Sequence, residues 1–255
     1  MLVVSGGKPG VGATTVALNL AATLAGDALR VVLIDADLQQ ANVAVRCDLT
    51  ASLNIGDVFE GRKNIHEALQ RGPAGMQILA GKASPEMRGT VSPRALQRLQ
   101  RQLRSLERHT DWIIVDAGHQ PTELMFDLWS LAERVLLVSS PDAAAVMDTY
   151  ALVKTLLTRQ SLAQPLALVI NQVAGAAAAA DVFRRIDQSC RRFLGMSLEL
   201  AGYAPFEPAT AGSVAGEATP ALAASPGSFA DAINRLAHQL AIAPREQAAP
   251  QRMAA

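Results

Sequence analysis

Leu2-Val3-Val4-Ser5-Gly6-Gly7-Lys8-Pro9-Gly10-Val11-Gly12-Ala13-Thr14-Thr15 stands at the head of the chain, followed directly by Val16-Ala17-Leu18-Asn19-Leu20-Ala21-Ala22-Thr23-Leu24-Ala25. The first four residues have the pattern of a short buried strand. The last ten predict a helix that ends near Gly26. A strand, a glycine-rich turn and a helix in that order let consecutive backbone N–H groups and a helix N-terminus converge on one anion. The usual phosphate loop, G-x-x-x-x-G-K-[ST], would place lysine at position 13. Ala13 stands there instead, and Lys8 sits near the start of the loop.

Continuous apolar runs of strand length recur along the chain: Leu2–Ser5, Val31–Ile34, Met76–Leu79, Trp112–Val115, Val135–Ser139, Leu166–Ile170 and Leu198–Gly202. Helices are expected between them at Thr14–Leu24, Ile65–Arg71, Pro93–Arg108, Thr122–Ala132, Ala143–Thr158, Ala178–Phe193 and Phe229–Leu240. Strands apolar on both faces and separated by helices predict a doubly wound α/β fold. Its sheet should be mostly parallel and covered by helices on both sides. Ligands of such sheets bind outside the carboxyl ends of the strands.

The chain has 255 residues, half of them apolar, which suits one large nucleotide-binding domain over residues 1–242. The loop Ala209–Ser228 and a disordered tail at 243–255 are expected from their Ala, Gly, Ser, Pro and Gln content. Lys+Arg and Asp+Glu both total 23, so overall charge argues against a nucleic-acid partner. Cys47 and Cys190 are far apart and fit reduced thiols of a cytoplasmic protein. No cleavable leader and no membrane-spanning run is evident.

Residues just past the strands are the chemical candidates. Gly10 and Gly12 permit close backbone approach to a phosphate, and Thr14 is placed to offer its hydroxyl to Mg²⁺. Asp35 and Asp37 leave the second strand at i and i+2. One can hold the loop or a metal while the other orients water; both can equally be loop or capping residues. Asp116 ends a strand in the Walker B manner, within reach of Mg²⁺, and Gly118 supplies flexible backbone beside it. Asn171 can offer a donor and an acceptor to adenine or serve as a turn residue. On the helix from Pro93, Arg94, Arg98, Arg101, Arg104 and Arg108 form a stripe opposite Leu96, Leu99, Leu103 and Leu106. That stripe is a basic patch for DNA or anionic lipid, or, as the residues alone favour, a solvated face. His119, three residues past Asp116, can approach the nucleotide, although a surface position is the reading favoured.

With these residues in order, the chain resembles the MinD/ParA class of P-loop ATPases, whose deviant Walker A loop has the form K-G-G-x-G-K-[ST]-[ST]. Lys8-Pro9-Gly10-Val11-Gly12-Ala13-Thr14-Thr15 matches it with two departures, Pro9 and Ala13. Asp35-Ala36-Asp37-Leu38-Gln39-Gln40-Ala41-Asn42-Val43 is similar to a switch segment of the FlhG/FleN (YlxH-type) regulators of flagellar number and placement, as is Gly202-Tyr203-Ala204-Pro205-Phe206-Glu207-Pro208 to a later stretch.

The resemblance implies ATP and Mg²⁺ as cofactors, with Gly7, Lys8, Gly10, Val11, Gly12, Ala13, Thr14, Thr15 and Asp35 around the nucleotide. It implies Lys8 reaching phosphates across an ATP-dependent homodimer, and Asp37 positioning the attacking water. Thr14, Asp37 and Asp116 would lie at the metal, and Asn171 and Pro205 at the adenine. A protein partner in organelle placement, of the flagellar GTPase or regulator type, is expected. Contact with the inner face of the plasma membrane is compatible with this, although residues 244–255 show no apolar face; the N-terminal extension by which flagellar members stimulate a partner GTPase is not expected here. Ala13 removes a cation from the β- and γ-phosphates, which predicts weak or impaired hydrolysis. The alternatives are a non-catalytic scaffold like the CpaE/TadZ-type pilus-assembly branch, in which loops ending G-[AT]-T-T occur, and a ParA-like DNA partition ATPase.

Overall fold

The computed structural model describes residues 1–50, 52–83, 91–159, 165–207 and 225–242. Eight strands form one sheet: β1 Leu2–Gly6, β2 Val31–Asp35, β3 Gln70–Arg71, β4 Gln77–Leu79, β5 Trp112–Asp116, β6 Arg134–Ser139, β7 Leu166–Ile170 and β8 Glu199–Tyr203. Their order across the sheet is β3-β4-β2-β5-β1-β6-β7-β8. All neighbours are parallel except β3 and β4. The expected strands all form, each within a residue or so of its anticipated bounds.

Alternate residues of the strands feed two cores, one on each face. Leu2 and Val4 of β1 pack on one side with α1 (Ala13–Gly26) and the last helix, Phe229–Ile242, while Val3 packs on the other. That second face is covered by α5 (Pro93–Glu107), α6 (Glu123–Leu131), α7 (Ala143–Arg159) and α8 (Ala176–Leu194). Helix α5 starts as its sequence requires. The Ser92 hydroxyl accepts from the Ala95 N–H at 3.2 Å and Pro93 occupies the first helical position. It buries Ala95, Leu99, Leu103 and Leu106, each large side chain contributing at most about 1.5–3 kcal/mol. Trp129 of α6 is fully buried and donates its indole N–H to the Ser5 hydroxyl at 2.9 Å, fastening α6 to the carboxyl end of β1.

One expected helix is corrected. Residues Ile65–Arg71 do not form a single helix: α4 covers Ile65–Ala68, Leu69 is extended (φ −69°, ψ 137°), and Gln70–Arg71 pair antiparallel with β4. The capping box of Asn64 and Glu67 starts this turn of helix, but Gly72-Pro73 reverses the chain and draws the preceding residues onto the sheet edge. Two short helices were not anticipated, α2 (Val43–Arg46) and α3 (Ile55–Glu60). The expected tail at 243–255, and residues 209–224 of the expected loop, lie outside the described residues. Among the described residues no helix is long and apolar enough to cross a membrane.

Candidate functional site

The carboxyl ends of β1, β2, β5 and β7 meet at the loop between β1 and α1. Gly10 (φ +84°) and Gly12 (φ +90°) both adopt left-handed backbone. Gly12 is the residue capping α1, with no side-chain cap and no acidic residue in the first turn. The leading N–H groups of α1 are therefore open to an anion. Two side chains from the end of β7 grip the loop. The Asn171 amide donates to the Val11 carbonyl and the Gln172 amide to the Gly10 carbonyl, both at 2.8 Å. Gln172 does so from a left-handed backbone (φ +59°), a strained conformation for a non-glycine residue.

A cleft of about 290 Å³ opens over this loop. Of the anticipated residues, Lys8, Gly10, Gly12, Ala13, Thr14, Thr15 and Asp37 line it. The others lie beneath or beside it. Val11, Asp35, Asp116 and Asn171 are buried. Gly7 approaches α7 so closely that a Cβ would stand 2.5 Å from the Thr149 nitrogen. Pro205 follows Ala204, whose backbone bonds to Ile170 and Val173 on either side of Asn171. Gln40 and Asn42 of the switch-like segment also line the cleft, as do Arg46 and Gln172, which no motif announced. His119 is half-buried, lines the cleft and bonds to the Gln120 amide at 3.0 Å.

Three carboxyls stack beneath the cleft. Asp35 accepts from the N–H groups of Asp37 (3.2 Å) and Val43 (3.0 Å), closing the segment between them into a compact loop. Asp37 accepts at Oδ1 from Gln39 and Gln40, each at 2.9 Å. Asp116 faces Asp35 across the β2–β5 pair and accepts from the Thr14 hydroxyl and the Gly118 N–H. Burial, followed by the charge of Asp116, pushes the Asp35 carboxyl up to about 8. Burial raises Asp116 to about 6, with the Thr14 hydroxyl, the Gly118 N–H and the Arg46 charge pulling the other way. Among the described residues no three His, Cys, Asp or Glu side chains converge on a metal position.

These shifts have a measurable consequence. Carboxyls whose folded pKa is raised hold their proton better in the folded state, so their contribution is full below about 4 and is lost as pH rises through about 6 and 8. Glu67, held low by the Asn64 N–H, and Asp231, held low by the Gly227 N–H, act oppositely, but only below their ordinary range. The nucleotide-free protein is therefore expected to lose stability, on the order of a few kcal/mol, between pH 5 and pH 8. Thermal unfolding across that range checks it; a flat or rising Tm contradicts it.

The basic stripe on α5 is narrower than its sequence suggests. Arg94, Arg101, Arg104 and Arg108 are exposed, but Arg98 donates to the Phe59 carbonyl at 2.6 Å and lies against Gly61. Its guanidinium ties α5 to α3.

The sequence profile of the AAA domain family matches residues 1–166. The antiactivator FleN of Pseudomonas aeruginosa is 31% identical over 207 residues, which make up 81% of this chain and 74% of FleN. The chain belongs to the MinD/ParA class of AAA-domain proteins. A second relative in this class is the flagellum site-determining protein YlxH of Helicobacter pylori, 27% identical over 60% of this chain and 52% of YlxH. The chain thus spans about three quarters of FleN and half of YlxH. Among solved structures, the septum site-determining protein MinD of Pyrococcus horikoshii, complexed with Mg-ADP, superposes with a TM-score of 0.68. The overlap covers 94% of each chain at 22% identity, a likeness of fold. Membership of this class implies a nucleotide. The residues present suit one, with open α1 N–H groups, left-handed glycines and a buried Asn171 Oδ1 that has no hydrogen-bond partner among the described residues.

Proposed function

We propose that this chain is an ATP-binding switch of the MinD/FlhG type that dimerises with ATP and sets the position or number of a surface organelle such as the flagellum, hydrolysing ATP weakly. The observation that carries this is that Lys8, Thr14 and Asp37 line one cleft, with Asp116 bonded to Thr14 beneath it. The flagellar part rests on the FleN and YlxH relatives.

Mg²⁺·ATP, when bound, supplies the phosphoanhydride and the charge that the carboxyls are arranged to meet. The protein's own part is to hold and orient. Loop amides and the α1 N-terminus receive phosphate oxygens. Thr14 and Asp116 would hold the metal, whose charge would favour the ionised form of the buried Asp116 carboxyl. Asp37, with Oδ1 committed to two backbone N–H groups, keeps Oδ2 to accept a proton from water. The Asn171 Oδ1 suits the exocyclic amine of adenine. Ala13 brings no cation to the transferring phosphoryl group, which is the reason weak turnover is expected.

Sedimentation with and without ATP·Mg²⁺ tests the reading. A shift from monomer to dimer only with ATP is expected, and its absence would sink the switch. Ala13 also favours a second reading, a scaffold that binds nucleotide without turning it over. Steady-state phosphate release that vanishes in Asp37→Ala would eliminate that alternative.

A further inference from the structure

We infer that Arg46 is the cation that stands in for the missing loop lysine, binding the phosphates of the nucleotide from α2 instead of from the loop. The inference rests on the nucleotide reading of the cleft and adds to it a residue that no motif of the class supplies.

Charge balance in the cleft motivates it. A nucleotide triphosphate brings several negative charges to a site already floored by Asp35, Asp37 and Asp116. With alanine at position 13, the permanently charged cations among the lining residues are Lys8 and Arg46. Lys8 is ion-paired with Asp142 at the head of α7. Arg46 has no carboxylate partner among the described residues; its one side-chain hydrogen bond runs from Nη1 to the Thr15 hydroxyl, at a long 3.5 Å. Most of its five donors are thus uncommitted, in a fork whose geometry matches phosphate oxygens.

Placement agrees with that role. Thr15 lies in the first turn of α1, where the open N–H groups are, so the guanidinium hovers at the same helix end. Its charge is felt by Asp116, which puts it within electrostatic range of the metal side of the site as well. Val43 and Cys47 on either side of it are buried, anchoring α2 to the core and leaving Arg46 on the cleft wall. The start of α2 is fixed by the Val43 N–H bonded to Asp35. The same strand end that delivers Asp37 therefore delivers Arg46. Next to it, Asn42 Oδ1 is buried with no partner among the described residues, a second polar group on this wall waiting for a donor.

The competing explanation is a strut: Arg46 holds α2 against α1 through Thr15 and has nothing to do with ligand. Titration calorimetry with ATP, ADP and AMP, on the full chain, separates the two. Arg46→Ala is expected to weaken ATP and ADP binding by about 10- to 100-fold, the loss of a charged hydrogen-bond donor, and AMP much less. Arg46→Lys should keep part of the affinity. Ala13→Lys should restore binding to Arg46→Ala, because a lysine at 13 supplies phosphate charge but cannot brace α2. Equal loss for all three nucleotides, or ATP affinity in Arg46→Ala within about two-fold of wild type, overturns the inference while leaving the nucleotide reading intact. Failure of the wild-type chain to bind ATP removes both.

Discussion

Lys8→Ala is expected to abolish ATP-dependent dimerisation while leaving the folded protomer as stable as before. The two halves of this result come from two environments of one ammonium group. In the protomer Lys8 is paired with Asp142, and the two side chains are 36% and 50% exposed. An ion pair in such contact with water is screened and contributes little, so its loss should not move Tm. The same exposure makes the pair easy to release when a stronger anion arrives. In the proposed dimer the ammonium faces phosphate oxygens across a dry interface. Truncating one partner of a buried, hydrogen-bonded charge pair costs about 2–5 kcal/mol. Twofold symmetry applies that cost twice, because each protomer would lose its lysine. Sedimentation velocity with ATP·Mg²⁺ should show a monomer for Lys8→Ala at concentrations where the wild type is dimeric. A dimer of near wild-type affinity would show that Lys8 does not reach across, and that its place is the Asp142 pair.

What could be foreseen of this site divides along a physical line. β1, the loop and α1 were legible because three signals coincide there: an apolar run, glycines at fixed spacing, and a helical run that is nearly all buried. The carboxyls were legible by position, since each follows an apolar strand whose end the topology must bring to the same edge. Their division of labour was not. Asp35 spends both oxygens on backbone N–H groups, and only the path of the chain through residues 36–43 determines that. Asn171 could be placed at the site, but not recognised as a clamp on the loop, because its partner is a carbonyl 160 residues away. Arg46 was missed for a similar reason. It sits on a helix of four residues, too short to leave a periodic trace, so nothing in the sequence says which way it faces. Helix α3 did leave a signal, an Asn54–Asp57 capping box and a left-handed Gly61 at its end, the kind of local chemistry that marks even a short helix.

The clamp makes the two loop glycines unequal, and Gly12→Ala is expected to be far more damaging than Gly10→Ala. Both residues have positive φ, +84° at Gly10 and +90° at Gly12, so an alanine at either pays about 1–2 kcal/mol for a left-handed backbone. At Gly10 that is the whole effect, since an added Cβ meets nothing within 4 Å. At Gly12 the Cβ would lie 2.3 Å from the Asn171 Nδ2, and the amide must move. Moving it breaks the buried 2.8 Å bond to the Val11 carbonyl, and leaving such buried groups unsatisfied costs about 1–3 kcal/mol more. Unfolding should therefore show a loss of about 1–2 kcal/mol for Gly10→Ala and about 2–5 kcal/mol for Gly12→Ala, the latter lowering Tm by roughly 10 °C in a chain of this size. Nucleotide binding should suffer more at Gly12, where the displaced amide also takes its Oδ1 away from the base. Asn171→Ala separates strain from collision. Combined with Gly12→Ala it removes the group being struck, so the double variant should be more stable than the sum of the single losses predicts. Additive losses, or equal damage at the two glycines, would mean that the loop is held by its own backbone and not by Asn171.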